Sequence, residues 1–197
     1  MDEVSEGHDM REVVLSLVPC QEYTDIASHW LDWLRHKFSV PWIHVYSYVY
    51  PDVVTSLVDK FRPRFIVFAG HGKDGMLLDS DMRPTISGEE FGDCDVYILS
   101  CESYDVGKRV EKNGGRAVCY DGKPFIWVNT PFLFNNENMV LYKPRTTLIV
   151  HYISTFDIVG SYNAMLDEMR KIVEEIPGDV IKSIMYYESK IVRLCGG

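Results

Sequence analysis

Residues 65–72 read Phe-Ile-Val-Phe-Ala-Gly-His-Gly, and residues 96–103 read Val-Tyr-Ile-Leu-Ser-Cys-Glu-Ser. Each opens with an unbroken apolar run and no alternation, the pattern of a strand buried on both faces of a parallel sheet. Each run then stops at a chemistry-bearing side chain, His71 between two glycines and Cys101 after a serine. The 30 positions from His71 to Cys101 are long enough for the crossover that parallel neighbours require. In such sheets, ligands and catalytic groups gather just beyond the carboxyl ends of the strands. His71 and Cys101 are therefore expected at one edge of one sheet.

The flanking sequence repeats the alternation of strands and helices. Val13–Leu17 is a compact β-branched run, Asp25–Phe38 carries Ile26, Trp30, Trp33 and Leu34 at helical spacing, and Ile43–Val49 alternates. A short helix from Pro51 to Phe61 leads into the first key strand. Between the two key strands, Gly75–Leu78 and Thr85–Ile86 flank a hairpin excursion, and Ser87–Phe91 starts a brief helix. Beyond Cys101 a polar helix over 106–113, a strand at Ala117–Tyr120 and a strand at Thr146–Ile153 are expected. The long amphipathic helix Phe156–Ile176 follows, then a helix after Pro177-Gly178, and a closing β-branched segment, Lys190–Leu194. The aromatic, Asn- and Pro-containing stretch from Lys123 to Arg145 fits no regular element and is expected to form a loop wall beside the site. The expected architecture is a three-layer α/β/α sandwich on a mostly parallel central sheet. Residues 1–11 read as a flexible acidic tail, and 12–197 as a single domain.

Composition narrows the function classes. The 197 residues carry 29 acidic against 20 basic side chains, a formal charge of −9, so neither nucleic acid nor an anionic membrane is an expected partner. No apolar run approaches the roughly 20 residues of a membrane helix, and the acidic start lacks the features of a secretory signal. The five cysteines are scattered without a CxxC pair, which points to no zinc site and no disulfide framework. A reducing cytoplasmic setting is expected.

At the proposed edge, a cysteine and a histidine can form a nucleophile and its proton-transfer partner. The thiol needs an imidazole or a helix N-terminus to become thiolate at neutral pH. The backbone amides of Gly72 and Cys101 are the natural donors to an oxyanion, and glycine at 72 permits close approach of a carbonyl. Either residue alone also has a structural role open to it, Cys101 as a packed thiol and His71 as a hydrogen-bonded surface group.

The stretch "FIVFAGHGKDGMLL" followed by "VYILSCES" resembles the clan CD cysteine peptidases, which include caspases, legumains, gingipains, separases and CHAT domains. The likeness is greatest to CHAT and gingipain-like domains. In those, the His-Gly is followed by a small hairpin, here "GMLLDSDMRPTIS", and an acidic helical turn, here "GEEF". Their cysteine is followed by a helix and a strand of the kind "GGRAVCYDG", and "KIVRLCGG" is similar to their final strand. The resemblance implies a caspase–hemoglobinase fold with His71 and Cys101 as catalytic dyad, and a protein or peptide substrate cleaved without a cofactor or metal. Such a peptidase needs restraint, and a domain of 197 residues is expected to depend on a protein partner, dimerisation or loop cleavage for its control. The family often carries an acidic residue after the strand that follows the nucleophile, selecting Arg or Lys at P1, and Asp121 matches that position loosely. Asp121-Gly122 is equally a good turn. Leu99 stands where some branches place a polar group near the primary pocket, and Trp127 is a candidate wall residue of the cleft. The alternative reading is a catalytically silent caspase-like interaction module.

Other motifs weigh less. Asp79-Ser80-Asp81 has the Asp-x-Asp form that holds a divalent cation and a diphosphate in sugar-nucleotide transferases, but acidic turns are far commoner. Glu89-Glu90 reads as an exposed face. His8, His29, His36, His44 and His151 have no ligand spacing.

Overall fold

Strands that are apolar on both faces fold only where helices cover both faces, and this chain supplies those helices in alternation with its strands. The computed structural model describes residues 13–19, 25–124, 136–176 and 179–197. In chain order the elements are β1 (Val14–Val18), α1 (Asp25–Arg35), β2 (Trp42–Tyr46), α2 (Pro51–Phe61) and β3 (Phe65–Ala69). The hairpin strands β4 (Gly72–Lys73), β5 (Met76–Leu78) and β6 (Pro84–Ile86) follow, then a single 3-10 turn at Glu89–Phe91. The second half comprises β7 (Asp95–Leu99), α3 (Tyr104–Lys112), β8 (Arg116–Tyr120), α4 (Asn136–Thr155), α5 (Ile158–Glu175), α6 (Asp179–Ile191) and β9 (Val192–Cys195).

Six strands form the central sheet in the order β2-β1-β3-β7-β8-β9, and β4-β5-β6 form a small antiparallel sheet. Every pairing in the central sheet is parallel except β8 with β9. Side-chain alternation divides the core in two. Val14, Val18, Phe65, Val67, Tyr97, Leu99 and Val118 face a layer made by α1, α4, α5 and α6. Leu15, Leu17, Ile66, Phe68, Val96, Ile98 and Ala117 face α2, α3 and the hairpin. The result is an α/β/α sandwich. None of the helices among the described residues is long and apolar enough to cross a membrane.

The strand expected at Thr146–Ile153 is instead the C-terminal half of α4, and the loop expected up to Arg145 is helical from Asn136 onward. Short β-branched runs satisfy strand and buried-helix patterns alike. Here burial decides: Leu141, Tyr142, Leu148, Ile149, Tyr152 and Ile153 all pack into the core beneath the sheet, and Pro144 is carried inside the helix. The strand read as Ile43–Val49 ends at Tyr46, because Ser47 takes a left-handed φ of 73°. The expected tail at 1–11 and Trp127 lie outside the described residues.

Candidate functional site

Parallel pairing sets the two key strands level. Ala69 at the end of β3 pairs with Leu99 at the end of β7, so His71 and Cys101 each lie two residues past that last pair. The Gly70 amide donates to the Leu99 carbonyl at 3.1 Å, carrying the pairing one step further. At Gly72 the chains come into contact. A Cβ there would stand 2.1 Å from the Cys101 carbonyl oxygen and 2.7 Å from Ser100 Oγ, so only glycine fits. The His71-Gly72 segment therefore passes directly against the backbone of Cys101.

After His71 the chain folds back. The Leu78 amide donates to the His71 carbonyl at 2.9 Å, and Gly72 faces Leu77 in the next pair. Antiparallel pairs alternate between hydrogen-bonded and non-hydrogen-bonded, so the Gly72 N–H is turned away from β5. Helix α3 holds this hairpin in place through Arg109, which donates from Nε to the Ser87 carbonyl at 2.7 Å and from Nη2 to the Gly75 carbonyl.

Cys101 sits on a tight, tied turn. Glu102 takes a left-handed φ of 49°, unusual for a side-chain-bearing residue, and its amide donates to the Gly122 carbonyl at 2.7 Å. The Ser103 hydroxyl donates to the Ser100 carbonyl at 3.0 Å and accepts from the Tyr120 amide at 3.1 Å. These bonds stitch the Cys101 turn to the end of β8. Strained conformations that persist under such restraint concentrate at functional sites.

Both side chains of the pair are half-buried. Burial pushes the Cys101 thiol up, and Glu102 adds to this, while Lys123 and the cysteine's own amide pull it down. Burial alone holds the His71 imidazole below its usual range. At rest Cys101 is therefore a neutral thiol and His71 a neutral imidazole, so the cysteine depends on proton transfer to react.

The other expected site residues are placed differently. Leu99 is wholly buried in the helix-covered core and is withheld from any ligand, since strand alternation turns it inward. Asp121 is exposed at the end of β8, its amide donates to the Ile191 carbonyl at 2.7 Å, and its carboxylate lies 3.5 Å from Arg193. The carboxylate of Asp79 is spent on its own turn: it accepts from the amides of Asp81 at 2.8 Å and Arg83 at 3.0 Å and from the Thr85 hydroxyl at 2.9 Å. Burial alone would raise its pKa, but these bonds outweigh it and leave the group lowered. Glu90 is likewise not a plain exposed face, for it turns back to accept from the amides of Ser87 and Gly88.

Glu102, Ser103 and Lys123 are the site neighbours that sequence reasoning passes over. Their signal is only the spacing of Ser100 and Ser103 around the cysteine. A separate open cavity of about 360 Å³ lies at the β2 edge, lined by Ser28, His29, Asp32, His44 and Tyr46. Behind it Trp42 Nε1 donates to Ser16 Oγ at 2.9 Å, and Ser16 Oγ lies 2.7 Å from His44 Nδ1. His44 Nε2 lies 3.1 Å from Ser28 Oγ. His44 thus bridges the hydroxyl of the wholly buried Ser16 and that of Ser28 through its two ring nitrogens, donating to one and accepting from the other as its tautomer dictates.

No protein-family model matches the chain, and no curated protein does either.

Proposed function

We propose that this chain is a cysteine endopeptidase of the caspase-like superfamily, with Cys101 as nucleophile and His71 as its proton-transfer partner. The observation that carries the reading is the passage of His71-Gly72 against the Cys101 backbone at the carboxyl edge of the sheet. The elements around it support the same reading: a hairpin and an acidic turn after the His-Gly, then a helix and a strand after the cysteine.

In this mechanism His71 takes the Cys101 proton as sulfur attacks the peptide carbonyl, and returns it to the leaving amine. The Gly72 amide, turned away from β5, and the Cys101 amide hold the oxyanion. His71 then activates the water that releases the acyl group. Asp121 is the candidate selector of a basic P1 side chain, which would compete with Arg193 for its carboxylate. The neutral resting pair suits an enzyme held inactive until a protein partner reshapes the site. The free thiols of Cys94, Cys101, Cys119 and Cys195 suit a reducing compartment such as the cytoplasm.

The test is intact-mass analysis after treatment with peptidyl acyloxymethyl ketones bearing Arg, Lys, Asp or Asn at P1. One adduct is expected on the wild type, absent from Cys101→Ala and slowed in His71→Ala. If the wild type stays unmodified by every probe, in pure form and in lysate of the source cells, a silent interaction module is the better reading.

A further inference from the structure

Cys119 on β8 and Cys195 on β9 play no part in the site above, yet their sulfurs lie 3.8 Å apart although the residues are 76 positions apart in sequence. The antiparallel register pairs Ala117 with Cys195 and Cys119 with Arg193, so the two cysteines are diagonal neighbours on one face of the sheet. Helix α3 presses on both. A Cβ at Gly107 would stand 2.6 Å from the Cys119 sulfur and 3.2 Å from that of Cys195. We propose that Cys119 and Cys195 form a reactive dithiol, oxidised by a hydroperoxide to a disulfide that fastens β9 to β8.

The chemistry has a direction. The two thiols share a contact in which either can donate. That contact and burial raise Cys119, while the same contact and Lys108 lower Cys195 against the opposing effects of burial and Glu111. Cys195 attacks the terminal oxygen of the peroxide and becomes a sulfenic acid, while the O–O bond breaks and the alcohol, or water, departs with a proton. Cys119 then attacks the sulfenic sulfur, and its own proton leaves with the hydroxyl as water. Closing the gap from 3.8 Å to the roughly 2.05 Å of a disulfide needs the backbone of β9 to move toward β8, since diagonal neighbours stand wider apart than a disulfide usually spans. Because β9 is the edge strand of the sheet, only one strand, together with the packing of α3, resists that shift, and its opening admits the oxidant to two buried sulfurs.

The full chain, reduced and then treated with hydrogen peroxide under native conditions, should lose the mass of two hydrogens. Tryptic mapping without reduction should join Leu194–Gly197 to the peptide that begins at Ala117, and dithiothreitol should release them. In Cys119→Ser the cross-link should vanish, and dimedone should trap a sulfenic acid on Cys195. The proposal is overturned if both cysteines remain thiols at a peroxide dose that oxidises Cys101, or if the cross-link involves any other cysteine. None of these readouts depends on peptidase activity.

Discussion

The amide of Glu102 donates to the carbonyl of Gly122 at 2.7 Å, with Glu102 held at a left-handed φ of 49°. One backbone bond thus keeps the residue after the candidate nucleophile in a conformation its side chain disfavours. It also sets the turn that carries Cys101 against the turn that carries Asp121 and Lys123. The charges on either side of the thiol oppose each other, Glu102 raising its pKa and Lys123 lowering it.

Replacing Glu102 with glycine separates these effects. Left-handed backbone costs an L-residue about 1–2 kcal/mol, while glycine adds about 1 kcal/mol of unfolded-state entropy. The net change in unfolding free energy is expected to stay within about 1 kcal/mol. Loss of the carboxylate lowers the Cys101 pKa, so iodoacetamide alkylation at a fixed mildly alkaline pH should accelerate. Lys123→Met should slow it. Rates unchanged in both variants would show that neither charge reaches the thiol.

Gly72→Ala asks whether the contact between strand ends is essential. Its Cβ would meet the backbone carbonyl oxygen of Cys101 at 2.1 Å and Ser100 Oγ at 2.7 Å, so something must move. Alanine keeps the amide but displaces it, and since losing one oxyanion donor costs about 10²–10³ in rate, a fall up to that order is expected in labelling by the acyloxymethyl ketones. Near-ultraviolet circular dichroism should stay native. Full labelling by the variant would show that this approach is incidental.

The apolar runs at 65–68 and 96–99 and the alternation of strands with helices carry enough pattern to reveal a covered parallel sheet, and they place His71 and Cys101 at strand ends. What they cannot reveal is anything that depends on register. The contact of Gly72 with Cys101 follows from Ala69 pairing with Leu99, and no local property of residues 69–72 encodes that pairing. Thr146–Ile153 reads as a strand because β-branched residues suit both states, and only the core formed with α5 and α6 makes it helix. Asp79 resembles a metal ligand in sequence because the amides and hydroxyl that occupy it come from a turn whose closure is not visible in composition.

Acid should weaken the fold through two imidazoles. Burial, with Arg35 adding to it and Asp32 opposing, holds His44 below its ordinary 6.5, and burial holds His71 below the same value. Between those lowered values and 6.5 the unfolded chain binds more protons than the native one, so stability rises with pH there and levels off above it. A protonated His44 would donate from both ring nitrogens, so Ser16 and Ser28 would both have to accept from it. The urea midpoint should therefore fall between about pH 7.5 and pH 5.5. The fall should shrink in His44→Gln and in His71→Ala, and a full-sized fall in both would exclude these groups as its source.

Beneath the sheet, Arg145 Nη2 lies 2.6 Å from Glu188 Oε1, with the two side chains 1% and 0% exposed. Arg145 also donates to the Leu141 carbonyl at 2.7 Å, so the pair joins α4 to α6 inside the core. Burying two charges is costly, and much of the mutual attraction only repays that cost. Breaking the pair from one side is different, because an unpaired charge stays in the interior. Arg145→Met is expected to destabilise the fold by about 3–5 kcal/mol, read as a lower urea midpoint with an unchanged slope. Adding Glu188→Leu should recover most of that loss, since neither charge then remains to be solvated. If the double variant is as unstable as the single one, the ion pair is not the reason the arginine is needed, and its packing against Tyr142, 5.3 Å from guanidinium to ring centre, becomes the better explanation.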